Sequence, residues 1–337
     1  MAITRLTILA LPLASASVIY GLLDVLSAVG RDAMVRSAAR FEVELVALHR
    51  ARFRCHGGIP VEPHRSIDEV DETDVILIPD LTLDPERDPR QDWREVAGWL
   101  RQRHEAATVL CSVCTGSLLL AASGLLDDKL ATTHWAASGW FAQYFPKVRL
   151  ASERTLVAAD ASETLVTAGG GATWEELALY LIRRYCGQMA AIRAAKYFLL
   201  GDRSHGQLPY ASAFLPRRHA DSVVAACQRW IAEHHAVSNP VSQMVRYSGL
   251  PERTFKRRFQ RATGYAPVNY VQALRIDLAK SQLETGDAST ESVAESVGYE
   301  DPATFRRLFK RYVGVSPAQY RRQFRATGKL DLHILGQ

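Results

Sequence analysis

One stretch of this chain is written twice. Residues 254–270 read TFKRRFQRATGYAPVNY and residues 304–320 read TFRRLFKRYVGVSPAQY, so Thr, Phe, Arg, Phe, Arg, Gly, Pro and Tyr recur at a constant offset of fifty. Each copy follows a short helical run closed by Gly, MVRYSG at 244–249 and VAESVG at 293–298. The pattern predicts helix, tight turn, helix, made twice. Phe255 with Phe259, and Phe305 with Phe309, stand four apart on one helix face, which is the core face. Gly249 and Gly298 fall where the turn needs a positive φ, and Pro251 and Pro302 fall near the start of the second helix, where a missing N–H costs nothing. The remaining faces carry Arg253, Lys256, Arg257 and Arg261 in one copy and Arg306, Arg307, Lys310 and Arg311 in the other. A basic face is most often solvated surface. On the second helix of a helix-turn-helix it fits a DNA major groove, and here the arrangement occurs twice. The residues expected to face the groove are Arg253, Lys256 and Arg257 in one helix and Ala303, Arg306 and Arg307 in the other.

Charge is distributed accordingly. Residues 221–337 hold 17 Lys and Arg against 11 Asp and Glu, whereas residues 1–220 hold 24 against 25. The positive excess belongs to the repeat, and it predicts salt-sensitive attraction to phosphate through counterion release. A chain of 337 residues, 47% of them hydrophobic, suggests about two domains of ordinary globular composition. Its five cysteines, at 55, 111, 114, 186 and 227, make no dense framework and fit a reducing, cytoplasmic setting. The opening MAITRLTILALPLASASVIYGLLDVL could pass for a signal peptide, but its apolar run has strand length and continues into helical spacing, so a strand-turn-helix opening is expected. No stretch approaches a membrane span.

The first 200 residues alternate strand and helix. Strands are expected at 4–12, 41–49, 75–81, 108–114, 155–160 and 164–170, and helices at 17–30, 92–106, 117–126, 174–187 and 188–200, which implies a parallel sheet covered on both faces. Cys114 ends a strand and is followed at once by Thr115, Gly116 and a helix. That turn resembles a nucleophile elbow and would set the thiol beside helix N-terminal N–H groups, favouring thiolate. Equally, Cys114 is a small buried residue at a crowded turn. Cys111 forms C-x-x-C with it, but three-residue spacing on a strand puts the two on opposite faces and argues against a redox pair. His134 and Trp135 follow a further strand and join Cys114 and Thr115 as candidates for a ligand pocket at the carboxyl edge of the sheet, beside the reading of a structural His and a core Trp. Cys55-His56 and His234-His235 have no metal-ligand spacing, and neither a metal nor a cofactor is expected. Residues 201–220, rich in Gly, Ser, Pro and basic residues without period, read as a linker.

Residues 222–325, with the linking stretch YVQALRIDLAKSQLE at 270–284, resemble the DNA-binding domain of the AraC/XylS family of transcription regulators. Val245 stands where that family usually has Ala against the turn Gly, whereas Ala294 keeps the pattern. Residues 4–200 resemble the PfpI/ThiJ superfamily, with its flavodoxin-like, glutamine-amidotransferase-type sheet. SVCTGSLLLAASGLLDDKLATTHW looks more closely like the amidotransferase-like domain of GlxA-type regulators. The resemblance puts Cys114 at the elbow cysteine and His134 at a His found near it in some members. It also exposes two departures: Thr115 where protease-like members have His, and apolar Val18 where other members have a helix-borne acid. A nucleophile without base or orienting acid is poorly equipped for hydrolysis.

The expected architecture is an α/β amidotransferase-like sensor domain at 1–200, a linker at 201–220, an all-α double helix-turn-helix domain at 221–325 and a tail at 326–337. The expected function is a one-component, sequence-specific transcription regulator with no catalytic residues, responding to a small-molecule effector; the resemblance implies nitrogenous or amino-acid-like metabolites. Its partners would be double-stranded DNA, a second copy in a homodimer and, for an activator, RNA polymerase. The rival is a PfpI/ThiJ-type cysteine hydrolase or glyoxalase-like enzyme, which would not need the basic repeat. A structural nucleoid-binding protein leaves the α/β domain unused.

Overall fold

The computed structural model describes residues 2–82, 84, 88–90, 93–214 and 219–328. The chain divides into two compact units, Met1–Gln207 and Leu208–Gln337.

In the first unit the strands are β1 (Ala2–Leu9), β2 (Ala39–Ala47), β3 (Phe53–Arg54), β4 (Pro60–Val61), β5 (Arg65–Ser66), β6 (Val75–Ile78), β7 (Val109–Val113), β8 (Leu130–Ala131), β9 (Arg149–Leu150), β10 (Leu156–Ala158) and β11 (Leu165–Ala168). The helices are α1 (Ala16–Ala28), α2 (Arg94–Glu105), α3 (Gly116–Ala122), α4 (Ser138–Tyr144), α5 (Trp174–Cys186) and α6 (Gln188–Phe198). Among the described residues seven strands form one sheet in the order β10-β11-β7-β6-β1-β2-β5. The central strands β6 and β7 are buried along their whole length, as strands covered on both faces must be. The β1-α1-β2 crossover runs toward one edge of the sheet and β6-α2-β7 toward the other, so right-handed crossovers put α1 and α2 on opposite faces. α1 meets α5, burying Val18, Ile19, Leu22, Val25 and Leu26 at helical spacing, and α2 meets α3.

One expectation needs correction. The sheet is not wholly parallel, because β10 runs antiparallel to β11. Only residues 159–164 join them, too few for the crossover that parallel strands require. The small pair β3-β4, the edge strand β5 and β9, the partner of β8, were not expected either, since two-residue strands leave no periodic signal.

The second unit is helical: α7 (Ser222–Glu233), α8 (Pro240–Ser248), α9 (Glu252–Thr263), α10 (Pro267–Thr285), α11 (Thr290–Ser296), α12 (Pro302–Val313) and α13 (Pro317–Gly328). It has two cores. Val224, Cys227, Ile231, Met244, Phe255 and Phe259 make one; Val293, Ala294, Val297, Phe305, Phe309 and Tyr320 belong to the other. α10 serves both, giving Tyr270 and Val271 to the first and Ile276, Ala279 and Leu283 to the second. The stretch expected as a linker contains no helix or strand among its described residues, yet it is tied down at both ends. Gln207 is 3% exposed within the first unit. In the second, Asp277 accepts from the Ala213 N–H at 2.8 Å and from the Ser212 hydroxyl, and Lys280 donates to the Ala211 carbonyl at 2.5 Å. Residues 215–218 of that stretch lie outside the described residues, as do residues 329–337 of the expected tail. The helix of the second unit reaches Gly328.

Candidate functional site

Two places carry chemistry. The first is the repeat, where burial reproduces the fifty-residue offset position by position. From 253 to 263 and from 303 to 313 the helices show the same order of exposed, half-buried and buried residues, with Phe255, Phe259 and Thr263 matched by Phe305, Phe309 and Val313. Arg253, Lys256 and Arg257 are therefore exposed on the face opposite the phenylalanines, and Ala303, Arg306 and Arg307 stand at the equivalent positions. Lys256 pairs with Glu252 at 2.5 Å and Arg306 with Glu291 at 2.6 Å, both in solvent, where such pairs hold side chains only weakly. Arg253, Arg257 and Arg307 make no ion pair among the described residues. Arg258 points elsewhere: its guanidinium donates to Asp221 at 2.6 and 3.0 Å, holding that carboxyl below its usual range, while the equivalent Leu308 packs on the second core.

The turns before these helices differ. Gly249 has φ 65° and Gly298 φ 89°, as the sequence implied. A Cβ at Gly249 would meet nothing within 4 Å, whereas one at Gly298 would lie 2.7 Å from the Ala236 Cα. Beside Gly298 sits Arg275 of α10, 9% exposed, which donates to the carbonyls of His235 at 2.7 Å, Gly298 at 2.8 Å and Val237 at 2.9 Å.

The second place is the cysteine turn. Cys114 has φ 55°, the strained backbone of an elbow, and is 7% exposed. Burial pushes its thiol up to about 11, outweighing the Thr115 hydrogen bonds that act the other way, and the Asp80 carboxylate adds a little to the rise. Of the two readings of this turn, burial favours the neutral thiol, because desolvation exceeds the help of the helix N-terminus. Cys111 is fully buried and raised to about 12. Val18 is 2% exposed in the α1 core stripe and supplies no acid.

The four pocket candidates are joined indirectly. The Thr115 hydroxyl accepts from the Leu81 N–H at 2.8 Å and donates to the Leu81 carbonyl at 2.7 Å. The Thr133 hydroxyl donates to the Cys114 carbonyl at 3.2 Å, which carries the neighbouring His134 and Trp135 to the carboxyl edge. The strand expected before them is β8, which pairs with β9 rather than with the main sheet. His134 caps a short 3-10 turn through Nδ1, which accepts from the Ala136 N–H at 3.1 Å, and burial lowers its pKa. None of the four lines the apolar cavity of about 480 Å³ nearby, whose walls include Leu11, Leu13, Leu48, Phe53, Leu81 and Trp93. Leu81 is the link between that cavity and Thr115.

Sequence reasoning missed Gln207. Its Nε2 donates toward the carbonyls of Thr133 at 2.8 Å, Ser152 at 2.9 Å and Arg154 at 2.9 Å and toward the Thr132 hydroxyl at 3.3 Å, while its Oε1 accepts from the Trp135 N–H at 3.2 Å. A glutamine in an aperiodic polar stretch carries no signal of such a role. Arg275 was equally invisible, reading as one cation among many.

Comparisons with known proteins agree with this division. Residues 19–184 match the DJ-1/PfpI family and residues 244–323 a helix-turn-helix domain. The HTH-type transcriptional regulator CdhR of Pseudomonas aeruginosa is 28% identical over 228 residues, 66% of this chain and 66% of CdhR, so the alignment stops just short of two thirds of that relative. The HTH-type transcriptional regulator GlxA of Rhizobium meliloti is 23% identical over 69% of this chain and 72% of its own length. A crystal structure from Vibrio parahaemolyticus, of a protein assigned as a transcriptional regulator, shares the fold with a TM-score of 0.51 at 20% identity, covering 59% of this chain and 99% of that one.

Proposed function

For a chain that joins a DJ-1/PfpI family domain to an AraC-type helix-turn-helix domain, we propose a sequence-specific DNA-binding transcription regulator controlled by a small molecule held in the first unit. The observation that carries this reading is the repeated exposure register of α9 and α12, which turns Arg253, Lys256 and Arg257, and with them Ala303, Arg306 and Arg307, away from the cores. Two such helices tied by α10 suit successive major grooves, about 34 Å apart on one DNA face. The effector would bind around Cys114, Thr115, His134 and Trp135. The apolar cavity borders these residues without being lined by them, since Thr115 holds the backbone of its wall residue Leu81.

Turnover is not part of the reading. The thiol is raised by burial, Val18 supplies no acid, and the His134 Nδ1 is taken up in capping the Ala136 N–H, which leaves the groups expected for general acid–base catalysis unfavourably disposed. Homodimerisation through the first unit, contact with RNA polymerase and a cytoplasmic location complete the proposal. No helix among the described residues is long and apolar enough to cross a membrane.

Footprinting the full chain on DNA upstream of its own gene, over a salt series, tests the reading. A protected region near two turns, with affinity falling steeply as salt rises, supports it. Binding to that DNA no tighter than to random sequence overturns it, and so does robust amidase or glyoxalase turnover that disappears in Cys114→Ser.

A further inference from the structure

The cavity of about 480 Å³ in the first unit lies where the chain changes direction across the sheet. β1 pairs with β2 on one side and with β6 on the other, so the strands that follow β1 are laid down first to one side of it and then to the other. The wall residues come from the ends of these strands. Leu11 and Leu13 stand just after β1, Leu48 just after β2 and Leu81 just after β6, and Trp93 stands just before α2. The crevice outside the carboxyl ends of strands that part in this way is where open α/β sheets take small ligands. Cys114 follows β7, one strand beyond β6, and does not line the cavity.

Backbone hydrogen bonds hold these walls. The Ala10 N–H donates to the Val46 carbonyl at 2.7 Å, the Thr82 N–H donates to the Leu13 carbonyl at 2.8 Å, and the Thr115 hydroxyl grips Leu81 through both its N–H and its carbonyl. The volume falls within the roughly 300–1,000 Å³ of small-molecule sites, which are largely preformed and mostly apolar with a few placed polar groups. Here those groups are His49 and Arg52, both exposed, the titratable side chains among the described residues of the wall. Arg52 makes no ion pair or side-chain hydrogen bond among the described residues.

That lining selects a chemistry. Apolar walls suit a ring or a branched chain, and the planar fork of a guanidinium matches a carboxylate through two parallel hydrogen bonds. An amine or a zwitterion would call for an acid in the wall, and no described wall residue is acidic. A phosphate ester would bring two negative charges to one arginine.

We propose that this cavity is a binding site for an apolar monocarboxylate, its ring or branched chain between Leu48, Leu81 and Trp93 and its carboxylate on Arg52. The site is separate from the Cys114 turn, although Leu81, held by Thr115, joins the two places. It goes beyond the regulator reading, since the cavity takes its ligand whether or not the second unit meets DNA.

The test uses the full chain at fixed salt, with hexanoate, 4-methylpentanoate and 3-phenylpropionate as probes and the primary amides of the same acids as uncharged controls. Calorimetry reads affinity, and tryptophan fluorescence compared between the wild type and Trp93→Phe reads place. At least one carboxylate is expected to bind saturably, about ten- to hundredfold more tightly than its amide, the weight of a charge-assisted pair. It should shift the emission of the wild type and not that of Trp93→Phe. Arg52→Gln, a change at an exposed side chain, should bring the carboxylate down to the affinity of its amide and leave the amide unmoved. Leu13→Trp, at a position 44% exposed, should fill the cavity and abolish binding of both. No saturable binding by any of the three carboxylates overturns the proposal, as does equal affinity for acid and amide, or acid binding undiminished in Arg52→Gln. A gel shift on DNA upstream of the gene keeps this site apart from the regulator reading. A chain that binds that DNA specifically and ignores all three acids loses the site and remains a regulator. Acid binding that depends on Arg52, in a chain without specific DNA affinity, does the reverse.

Discussion

Arg275 Nη1 donates to the Gly298 carbonyl at 2.8 Å, joining the middle of the helix shared by both cores to the turn of the second helix-turn-helix. Its Nε and Nη2 hold the His235 and Val237 carbonyls in the α7–α8 loop, and its guanidinium lies 5.4 Å from the centre of the Tyr299 ring. One buried cation therefore sets the two halves of the DNA-binding unit against each other. The clamp adds to the packing of α10 in both cores in holding the two helices at a fixed spacing.

Arg275→Met should leave three carbonyls without donors and cost roughly 2–4 kcal/mol, on the usual scale of about 1–3 kcal/mol for each unsatisfied buried group after partial relaxation. Urea unfolding followed by helical circular dichroism measures this. Arg275→Lys, which cannot span all three acceptors, should fall between. If Arg275→Met were as stable as the wild type, the clamp would have no energetic meaning.

Readout at the exposed faces is tested by Arg257→Ala and Arg307→Ala. A bidentate Arg–guanine contact is worth about 1–3 kcal/mol of discrimination, so each variant should relax preference at one cluster of base pairs. A phosphate contact behaves differently, weakening all sequences alike and lowering the salt slope by about one unit. Footprints and salt series on the two variants distinguish these cases. Unchanged affinity and unchanged specificity in both would show that another face meets DNA.

The repeat was legible because its signal is local: Phe255, Phe259, Phe305 and Phe309 fix a helix face, and the basic residues must then lie opposite. The α/β half was legible in type for the same reason, as apolar runs such as VILI at 75–78 have few other uses. What escaped depends on distant parts of the chain. Burial at the Cys114 turn favours the neutral thiol over the thiolate, and no local pattern reports how deep that burial is. Gln207 and Arg275 act through carbonyls brought to them by the fold. The antiparallel β10 could have been read from the short connection at 159–164, where no crossover fits.

The raised thiols make stability depend on alkaline pH. Cys114 is held at about 11, whereas an unfolded thiol ionises near 8.5–9. Between those values the unfolded chain has lost a proton that the folded chain keeps, so stability is fully present below about pH 8.5 and falls as pH rises toward 11. The contribution of Cys114 is roughly 2–3 kcal/mol at the upper end, and Cys111 acts in the same direction. Urea midpoints across this range should fall, and less steeply in Cys114→Ala. Iodoacetamide should label Cys114 slowly at neutral pH. Rapid labelling there would reveal a thiolate and reopen the enzyme.

Acid acts on a different element. Burial lowers the His134 pKa, so the neutral ring that accepts from Ala136 is favoured by folding. That stability is fully present above the unfolded value near 6.5 and is lost as pH falls through the folded one. Protection of the Ala136 amide, taken relative to its intrinsic exchange rate at each pH, should fall on acidification in the wild type and be low at every pH in His134→Ala. Insensitivity of that amide to acid in the wild type would remove the cap assignment.

Gly249 and Gly298 occupy matching places in the repeat, and their replacement by alanine should not cost the same. Both have positive φ, 65° and 89°, so each substitution carries the left-handed penalty of about 1–2 kcal/mol. At Gly249 nothing lies within 4 Å of the new Cβ, and the cost should stop there. At Gly298 the Cβ would meet the Ala236 Cα at 2.7 Å, its carbonyl oxygen at 2.8 Å and the Arg275 guanidinium at 2.8 Å. Relieving those contacts means moving backbone or opening the clamp, which adds about 1–3 kcal/mol, the scale of an overpacked core. Gly298→Ala should therefore be the more damaging by at least the stability of the Gly298–Arg275 bond, and combining it with Arg275→Met should cost less than the sum of the two alone. Urea unfolding of the two single alanine variants, Arg275→Met and the double variant supplies the cycle. Equal losses for Gly249→Ala and Gly298→Ala would mean that the α7–α8 loop yields freely, and that the two helix-turn-helix units are not locked together at this point.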